Sequence, residues 1–237
     1  MVRVVPADPP RAPEVVPADG PIGRALQARA PLGATVLVAA DSPSPLAVAR
    51  RALEVLAAEP PARLVVVSST LVYGAWPSNP TPLTDDAAIR PNPDYAPAVE
   101  LGEVERLVAD WRDAHPGTSV VVLRAAPVAG SWLARELLAA GPQHSLQLLH
   151  LDDLVAAVVH AAADPTITGA CNVAPHGWLE PGSRPTTVAD RVARFRVKAG
   201  RNPTAPGIGP WTIHPSVVTA DRLRATGWAP AHRAVAP

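Results

Sequence analysis

The stretch Val65-Val66-Val67-Ser68-Ser69-Thr70-Leu71-Val72-Tyr73-Gly74 gives the clearest indication of the fold of this chain. It opens with consecutive valines that do not alternate with polar residues. A strand of this kind is buried on both faces, as in a parallel sheet. The serines and the glycine that follow are typical of a turn. We therefore predict a buried parallel strand that ends in a turn carrying polar side chains.

Further strand and helix patterns alternate on both sides of this stretch. The strand patterns are Glu14–Ala18, Thr35–Ala39, Leu64–Ser68, Ser119–Leu123 and, more weakly, Cys171–Ala174. The helical patterns are Ile22–Ala30, Leu46–Glu59, Ala98–Ala114 and Leu154–Ala163. This alternation predicts an α/β, Rossmann-like, doubly wound and mostly parallel sheet. Its loops Ala39–Ser42, Ser68–Gly74 and Arg124–Gly130 then meet at one edge, where such folds bind ligands.

Differences in residue composition and pattern divide the chain into three parts. Residues 1–13 are rich in proline and are expected to form a flexible arm. Residues 14–174 carry the alternating pattern and form the Rossmann-like domain. Residues 175–237 are richer in Gly, Pro and Trp and are expected to form a small cap, with basic helices at Val188–Ala199 and Thr219–Thr226.

The overall composition narrows the classes of partner. The chain has 21 basic and 21 acidic residues, so its formal net charge is zero. This balance disfavours nucleic acid and anionic membranes as partners. No apolar run is long enough to span a bilayer, and the single cysteine, Cys171, excludes an intrachain disulfide. We therefore expect a cytoplasmic protein.

Several motifs, taken in order, resemble the extended short-chain dehydrogenase/reductase family, specifically its NAD-dependent epimerase/dehydratase-like, actinobacterial members. The opening stretch resembles the family's "vvvSSxxvYG". The other matching blocks are Val121-Val122-Leu123-Arg124 with Pro127-Val128-Ala129-Gly130, Leu149-His150-Leu151-Asp152-Asp153-Leu154, and Gly169-Ala170-Cys171-Asn172-Val173-Ala174. The resemblance implies a member shortened before Leu64, with NAD(P) as its cofactor.

The resemblance implies a glycine-rich turn for the cofactor pyrophosphate, and the candidate turn is incomplete. Pro17 stands at the first glycine position of the segment that contains Gly20 and Gly23, and proline cannot adopt a glycine-like positive φ. In this register, Asp41 would bind the ribose. In a second register, Val15–Asp19 matches the family's third strand and Thr35–Ala40, ending in Ala39 and Ala40, matches its "vvhlAA". The glycine-rich unit is then missing, and both registers remain open.

The segment that matches the catalytic helix of the family lacks the catalytic lysine. The family uses Tyr-x-x-x-Lys, in which the lysine lowers the tyrosine pKa. Aligning on Tyr95 puts Val99 at the lysine position, and aligning on the later acidic stretch puts Leu101 there and Pro97 at the tyrosine. Because proline favours the first turn of a helix, the helix should begin near Pro97 and leave Tyr95 before it.

Ser69 matches the family's catalytic serine, although a serine at a strand end is also an ordinary turn cap. His150-Leu151-Asp152-Asp153 invites a metal reading, but no second cluster at ligand spacing accompanies it, and an aspartate that caps the next helix is the simpler interpretation. We therefore predict no metal site.

Three functional hypotheses follow from this incomplete redox site. The first is a family member without hydride transfer, which is a non-redox enzyme or pseudoenzyme that binds a small polar, sugar-nucleotide-like ligand. The second is an active NAD(P)-dependent epimerase, dehydratase or reductase with a rearranged site. The third is a non-catalytic partner that forms a homodimer or a heterodimer with an intact relative through helices 46–59 and 98–114, as the resemblance implies.

Overall fold

A computed structural model describes residues 15–17, 19–29, 34–140, 144–179 and 207–233. Its centre is a sheet of five parallel strands in the order β1-β2-β3-β4-β5. The strands are β1 Val15–Val16, β2 Thr35–Val38, β3 Arg63–Ser69, β4 Ser119–Ala125 and β5 Gly169–Val173. The predicted Rossmann-like parallel sheet is confirmed.

The central strands form because their apolar residues can be buried on both faces. Every residue of β2 and β3 is buried, and so is every residue of β4 after Ser119. The strands are in parallel register, with Val65 of β3 opposite Val36 of β2 and Val121 of β4. The non-alternating valine and leucine runs are therefore explained by double-sided burial.

Among the described residues, five longer helices lie between and beside the strands. They are α1 Pro21–Gln27, α2 Pro45–Ala58, α3 Ala96–Ala114, α4 Trp132–Ala140 and α5 Leu151–Ala163. Two short helices, Pro210–Ile213 and Asp221–Ala225, follow, together with a 3-10 turn at Thr70–Tyr73. Pro97 lies in the first turn of α3, as predicted. The expected helix at 188–199 and the expected arm at 1–13 lie outside the described residues.

Helix α4 is an element that the sequence patterns above did not include. The preceding Gly130 has a φ of +80°, and the Ser131 Oγ accepts a hydrogen bond from the Ala134 N–H at 3.2 Å. A serine before the pattern Trp132-Leu133-Ala134-Arg135-Glu136 is a local helix-start signal. This signal is present in the sequence, but it is weak beside the long apolar strand β4.

The helices cover both faces of the sheet. Helix α3 packs against both α2 and the strands β3 and β4, whereas α5 packs against the same two strands and against α1. Because α3 and α5 do not pack on each other, they lie on opposite faces. The carboxyl ends of the strands open at one edge, which the predicted loops 39–42, 68–74 and 124–130 line. None of the helices in the described segments is both long and apolar enough to cross a membrane.

Arg63, at the start of β3, ties the amino-terminal edge of the sheet to the end of α5. It is 4 % exposed. Its Nη2 donates to the carbonyl oxygens of Ala161, Asp164 and Ile167 at 2.5, 3.1 and 2.7 Å, and its Nη1 donates to the Ser119 Oγ at 2.6 Å. These carbonyls belong to the last turn of α5 and the loop after it, which lack helical partners. Arg63 is therefore a cap supplied from a distant strand.

Replacing Arg63 with methionine keeps the apolar stem and removes the hydrogen-bond donors. The unpaired buried carbonyls should lower the free energy of unfolding by about 3 kcal/mol, since bonds from a charged donor contribute more than neutral ones. Urea unfolding followed by circular dichroism measures the change. Arg50→Met, at an exposed position of α2, is the control and should shift stability by less than about 0.5 kcal/mol. Equal effects of both substitutions would contradict the assigned role of Arg63.

Candidate functional site

Ser69 lies where β3 ends, at the carboxyl edge of the sheet. It is 2 % exposed, and its Oγ accepts a hydrogen bond from the Leu71 N–H at 3.3 Å. The side chain thus caps the short 3-10 turn at Thr70–Tyr73. Within the described residues, no hydrogen bond joins Ser69 to Tyr95. The geometry corresponds to the turn-cap interpretation of this serine.

Tyr95 precedes the first residue of α3 and is fully buried. Its hydroxyl donates to the Glu136 Oε2 of α4 at 2.9 Å, and its ring packs against Trp211 with a centroid distance of 5.0 Å. Burial, and then the adjacent Glu136 carboxylate, raise the pKa of Tyr95 well above its ordinary value. Both effects disfavour the phenolate. Tyr95 is therefore held as a neutral donor and is unsuited to act as a base.

Both positions that the sequence aligns with the catalytic lysine hold apolar side chains. Val99 is half-buried and Leu101 is buried, and both lie on helix α3. The single lysine of the chain is Lys198, which lies outside the described residues. Among the residues that the structure does describe, no ammonium group accompanies Tyr95.

The turn around Gly20 and Gly23 opens helix α1, but a carboxylate already occupies its end. Asp41 Oδ2 accepts a hydrogen bond from the Ile22 N–H at 2.9 Å. A Cβ built on Gly20 would lie 2.1 Å from the same oxygen, although Gly20 itself has an ordinary φ of −75°. Glycine at position 20 therefore makes room for Asp41. Burial raises the pKa of Asp41, and the bond from Ile22 and the nearby Arg24 oppose that rise.

Helix α2 begins at the same edge, and a carboxylate also accepts a hydrogen bond from an N–H group of its first turn. The Leu46 N–H donates to the Glu100 Oε2 of α3 at 3.2 Å. Between the two helices, the Ala39 and Ala40 N–H groups both donate to the Val67 carbonyl. The backbone N–H groups of Ile22, Ala39, Ala40 and Leu46 are thus bonded within the chain. Strand β1 pairs directly with β2, which lies between β1 and β3.

A buried polar network lies behind the edge and joins the family-like motifs to one another. Arg124 of β4 forms an ion pair with Glu105 of α3 at 2.8 Å, and both are about 7 % exposed. Glu105 Oε1 also accepts from the Ser68 Oγ at 2.8 Å. Arg124 Nη1 donates to the Tyr73 hydroxyl at 2.9 Å, and that hydroxyl donates to the Asn172 Oδ1 at 2.7 Å.

This network extends to the C-terminal segment. Asp85 accepts from the Asn172 N–H at 2.6 Å and from the Arg222 N–H at 3.2 Å. Several of these residues stand in the family-like motifs, but no role was predicted for them. The available signal was a charged residue, Arg124, inside a run of valine and leucine, and Glu105 on the apolar face of a helix. Such buried charges need partners.

The described residues contain no group of three or more His, Cys, Asp or Glu side chains that could hold a metal. Burial raises the pKa of the Cys171 thiol to about 11, so the thiol stays protonated at neutral pH.

The expectation that an aspartate caps the helix starting at Leu154 is wrong. The helix begins at Leu151, and the His150 Nδ1 accepts from the Asp152 N–H. Asp153 instead accepts from the N–H groups of Ala231 and His232, at 2.8 and 3.1 Å, and so holds the C-terminal segment against α5.

Comparisons with known proteins agree with the motifs and the fold. Residues 43–142 match the NAD dependent epimerase/dehydratase family. No curated protein matches the chain. The blocks that carry the family resemblance extend along most of the chain. The match confirms the resemblance over the segment that contains β3 and α3.

Solved structures of nucleotide-sugar enzymes share the fold. The dTDP-glucose 4,6-dehydratase of Bacillus anthracis str. Ames, in complex with NAD, has a TM-score of 0.60 and 14 % identity, covering 89 % of this chain and 71 % of that one. RMD of Pseudomonas aeruginosa with NADPH has 0.64 and 14 %, covering 92 % and 93 %. The UDP-glucose 4-epimerase of Thermus thermophilus with NAD has 0.59 and 16 %, covering 89 % and 76 %. At these identities the likeness establishes the fold.

An alkaline titration tests the state of Tyr95. Tyr73 and Tyr95 are the only tyrosines, and burial raises the pKa of both. The native state thus favours neutral phenols, and this contribution to stability is complete below about pH 10 and is lost as the pH rises further. Tyrosinate absorbance should therefore appear only together with loss of the circular dichroism signal.

The variant Tyr95→Phe is the control for this titration and should halve the absorbance step. One equivalent of tyrosinate below about pH 9, with the fold intact, would mean that Tyr95 is an activated phenol of the catalytic kind.

Proposed function

Residues 43–142 match the NAD dependent epimerase/dehydratase family, and on that premise we propose that this chain is a member that does not transfer hydride. It binds a small polar, sugar-nucleotide-like ligand at the carboxyl edge of the sheet, as a non-redox enzyme or as a pseudoenzyme. The observation that carries this proposal is the pair of carboxylates, Asp41 and Glu100, bonded to the amide groups where α1 and α2 begin.

Electrostatics explains why these contacts bear on the cofactor. A dinucleotide brings two negative phosphates to the first helix of a Rossmann-like fold, where free N–H groups and the helix dipole stabilise them. In this chain the Asp41 carboxylate already accepts the Ile22 N–H, so an incoming phosphate would lose that donor and face a like charge. The redox step of the family also needs a lysine beside the tyrosine. Among the described residues, none lies near Tyr95, which supports the proposal.

The ligand class rests on the family and on the fold neighbours. Those neighbours include a dTDP-glucose dehydratase and a UDP-glucose epimerase, so the inherited pocket is proposed to accept a related compound. The alternative of an active NAD(P)-dependent enzyme would need Ser69, Tyr95 and Asp41 as its working parts. Each of these side chains is bonded within the protein, which favours the first proposal. The buried free thiol of Cys171 supports a cytoplasmic location.

Binding measurements with and without dinucleotide test this function. NADH and NADPH should show no binding by isothermal titration or nicotinamide fluorescence up to about 1 mM, whereas nucleotide sugars should raise the melting temperature without them. The variant Asp41→Asn keeps an acceptor for Ile22 but removes the charge, so NADH affinity should increase. Asp110→Asn, an exposed change on α3, should leave NADH binding as it is in the natural chain. Tight NADH binding by the unaltered protein would rule out the proposal.

We also propose that the chain pairs with a second copy or with an intact relative through α2 and α3. The two helices pack side by side, and α2 presents Val55, which is 62 % exposed, beside the exposed residues Ala58 and Arg51. A single exposed valine is common on protein surfaces, so the pairing rests on the family resemblance, which implies dimer contacts through these two helices.

Val55→Lys should convert a dimer to a monomer in light scattering, because a buried ammonium has no partner in an apolar interface. Ala163→Lys, at the exposed end of α5 and outside both helices, should leave the mass unchanged. A monomer for the unaltered chain, together with no capture of a relative carrying the complete motifs, would reject this pairing.

A further inference from the structure

The segment 207–214, which follows the sheet in the chain, lies over the tyrosine at the start of α3. Its short helix, Pro210–Ile213, packs against α4, and the Trp211 ring lies against Tyr95 with 5.0 Å between the centroids and 56° between the planes. Trp211 is 2 % exposed and Tyr95 is fully buried. The segment therefore shields Tyr95 from solvent.

The contact between this segment and the carboxyl edge of the sheet leaves almost no free space. Trp211 and Pro127, a residue of the edge loop 124–130, line a void of about 10 Å³. Such a void holds no more than about one water molecule, whereas small-molecule sites measure about 300–1,000 Å³. The His144 Nε2 also donates to the Trp211 carbonyl oxygen at 2.5 Å. A ligand can therefore reach Tyr95 from this side only if the segment moves.

The closed position of the segment depends on a glycine. Gly207 has a φ of +83°, in the left-handed region that favours glycine. A Cβ on Gly207 would also collide with the carbonyl oxygen of Asp94, the residue before Tyr95. Gly209 is different, because its φ is −46° and a Cβ there would meet no described atom within 4 Å. The closed form thus requires glycine at position 207 but not at position 209.

The segment buries little apolar surface against the rest of the protein. Among its described side chains, Ile208 and Trp211 are buried, whereas Ile213 is 66 % exposed. Regions with few buried apolar contacts open at a smaller free-energy cost than the core. The segment therefore combines a closely fitted closed form with a low cost of opening.

Immediately after the segment, the chain is fixed to the body of the protein. The Leu83 N–H donates to the Val217 carbonyl oxygen at 2.9 Å. The Gln147 side chain accepts from the Val218 N–H and donates to the Val218 carbonyl oxygen, at 2.8 and 2.9 Å. At this end, a movement of the segment would pivot at the half-buried residues 214–216.

We propose that the segment 207–214 is a lid that must open before the ligand can bind. The inference rests on the proposed function, which places the ligand at the carboxyl edge. Opening lifts Trp211 from Tyr95 and gives the ligand access to the Tyr95 hydroxyl and the Glu136 carboxylate. A hydroxyl and a carboxylate suit the hydroxyl groups of a sugar. Because only the open form binds, the fraction of open molecules sets the apparent affinity.

Hydrogen exchange measured by mass spectrometry tests the opening without any ligand. The Trp211 and His214 amides are bonded within the segment, and in Gly207→Ala they should exchange at least about tenfold faster than in the natural chain. Gly209→Ala is the matched control and should exchange within about twofold of the natural chain. The amides of β4 should be unchanged in both variants.

Two results of the exchange experiment would overturn the lid. One is equal exchange of the segment in Gly207→Ala and in the natural chain. The other is an equal acceleration in β4, because the segment would then open only together with the core of the sheet.

Calorimetric titration with UDP-glucose connects the opening to the ligand. Gly207→Ala should bind UDP-glucose at least about tenfold more tightly than the natural chain, because more of its molecules are open. Gly209→Ala should bind it as the natural chain does. Equal affinity of Gly207→Ala and the natural chain would overturn the lid. If none of the three proteins binds UDP-glucose although Gly207→Ala exchanges faster, the proposed function fails and the opening of the segment stands.

Trp211→Ala tests the same lid without a change of backbone conformation. Removing the ring uncovers Tyr95, so this variant should also bind UDP-glucose more tightly than the natural chain. Weaker binding by Trp211→Ala would show that the tryptophan contacts the ligand, and the assignment of the segment as a lid would be wrong.

Discussion

The buried ion pair between Glu105 and Arg124 stands at the centre of the contacts that hold the described elements together. It joins helix α3 to strand β4, and through Ser68 and Tyr73 it fixes the end of β3. Burying two charges is costly unless each is fully hydrogen-bonded, and removing one partner of such a pair leaves an uncompensated charge. The surrounding hydroxyl, amide and carbonyl groups therefore hold the sheet, the helix and the C-terminal segment in one arrangement.

This dependence explains which family-like motif residues the chain has and which it lacks. Ser68, Tyr73, Glu105, Arg124 and Asn172 all belong to the network, and all of them except Glu105 stand in a matching block. The redox chemistry of the family uses a lysine beside the tyrosine and a complete glycine-rich turn. Neither of these positions contributes a side chain to the network. The contacts that hold the fold together therefore do not depend on the residues that the redox chemistry of the family uses.

At the carboxyl edge, two carboxylates of the chain accept hydrogen bonds from N–H groups in the first turns of α1 and α2. Helix N-termini leave N–H groups without partners, and a phosphate or a carboxylate can fill them. Asp41 and Glu100 do so here from within the chain. The same contact explains the glycine at position 20, because a Cβ there would collide with the Asp41 carboxylate. A glycine that looked like part of a phosphate-binding turn is thus a packing partner of an acid.

The strands, most of the helices and the start of α3 could be predicted from the amino acids alone, because valine runs, helical periodicity and Pro97 act through near neighbours. The missing lysine was visible in the same way, since either alignment of the catalytic helix places an apolar residue there. The bonds from Asp41 to Ile22, from Glu100 to Leu46 and from Tyr95 to Glu136 became visible only once the chain was folded. Those partners lie 19, 54 and 41 residues apart, and separations of that length are set by how the elements pack, which no local pattern encodes.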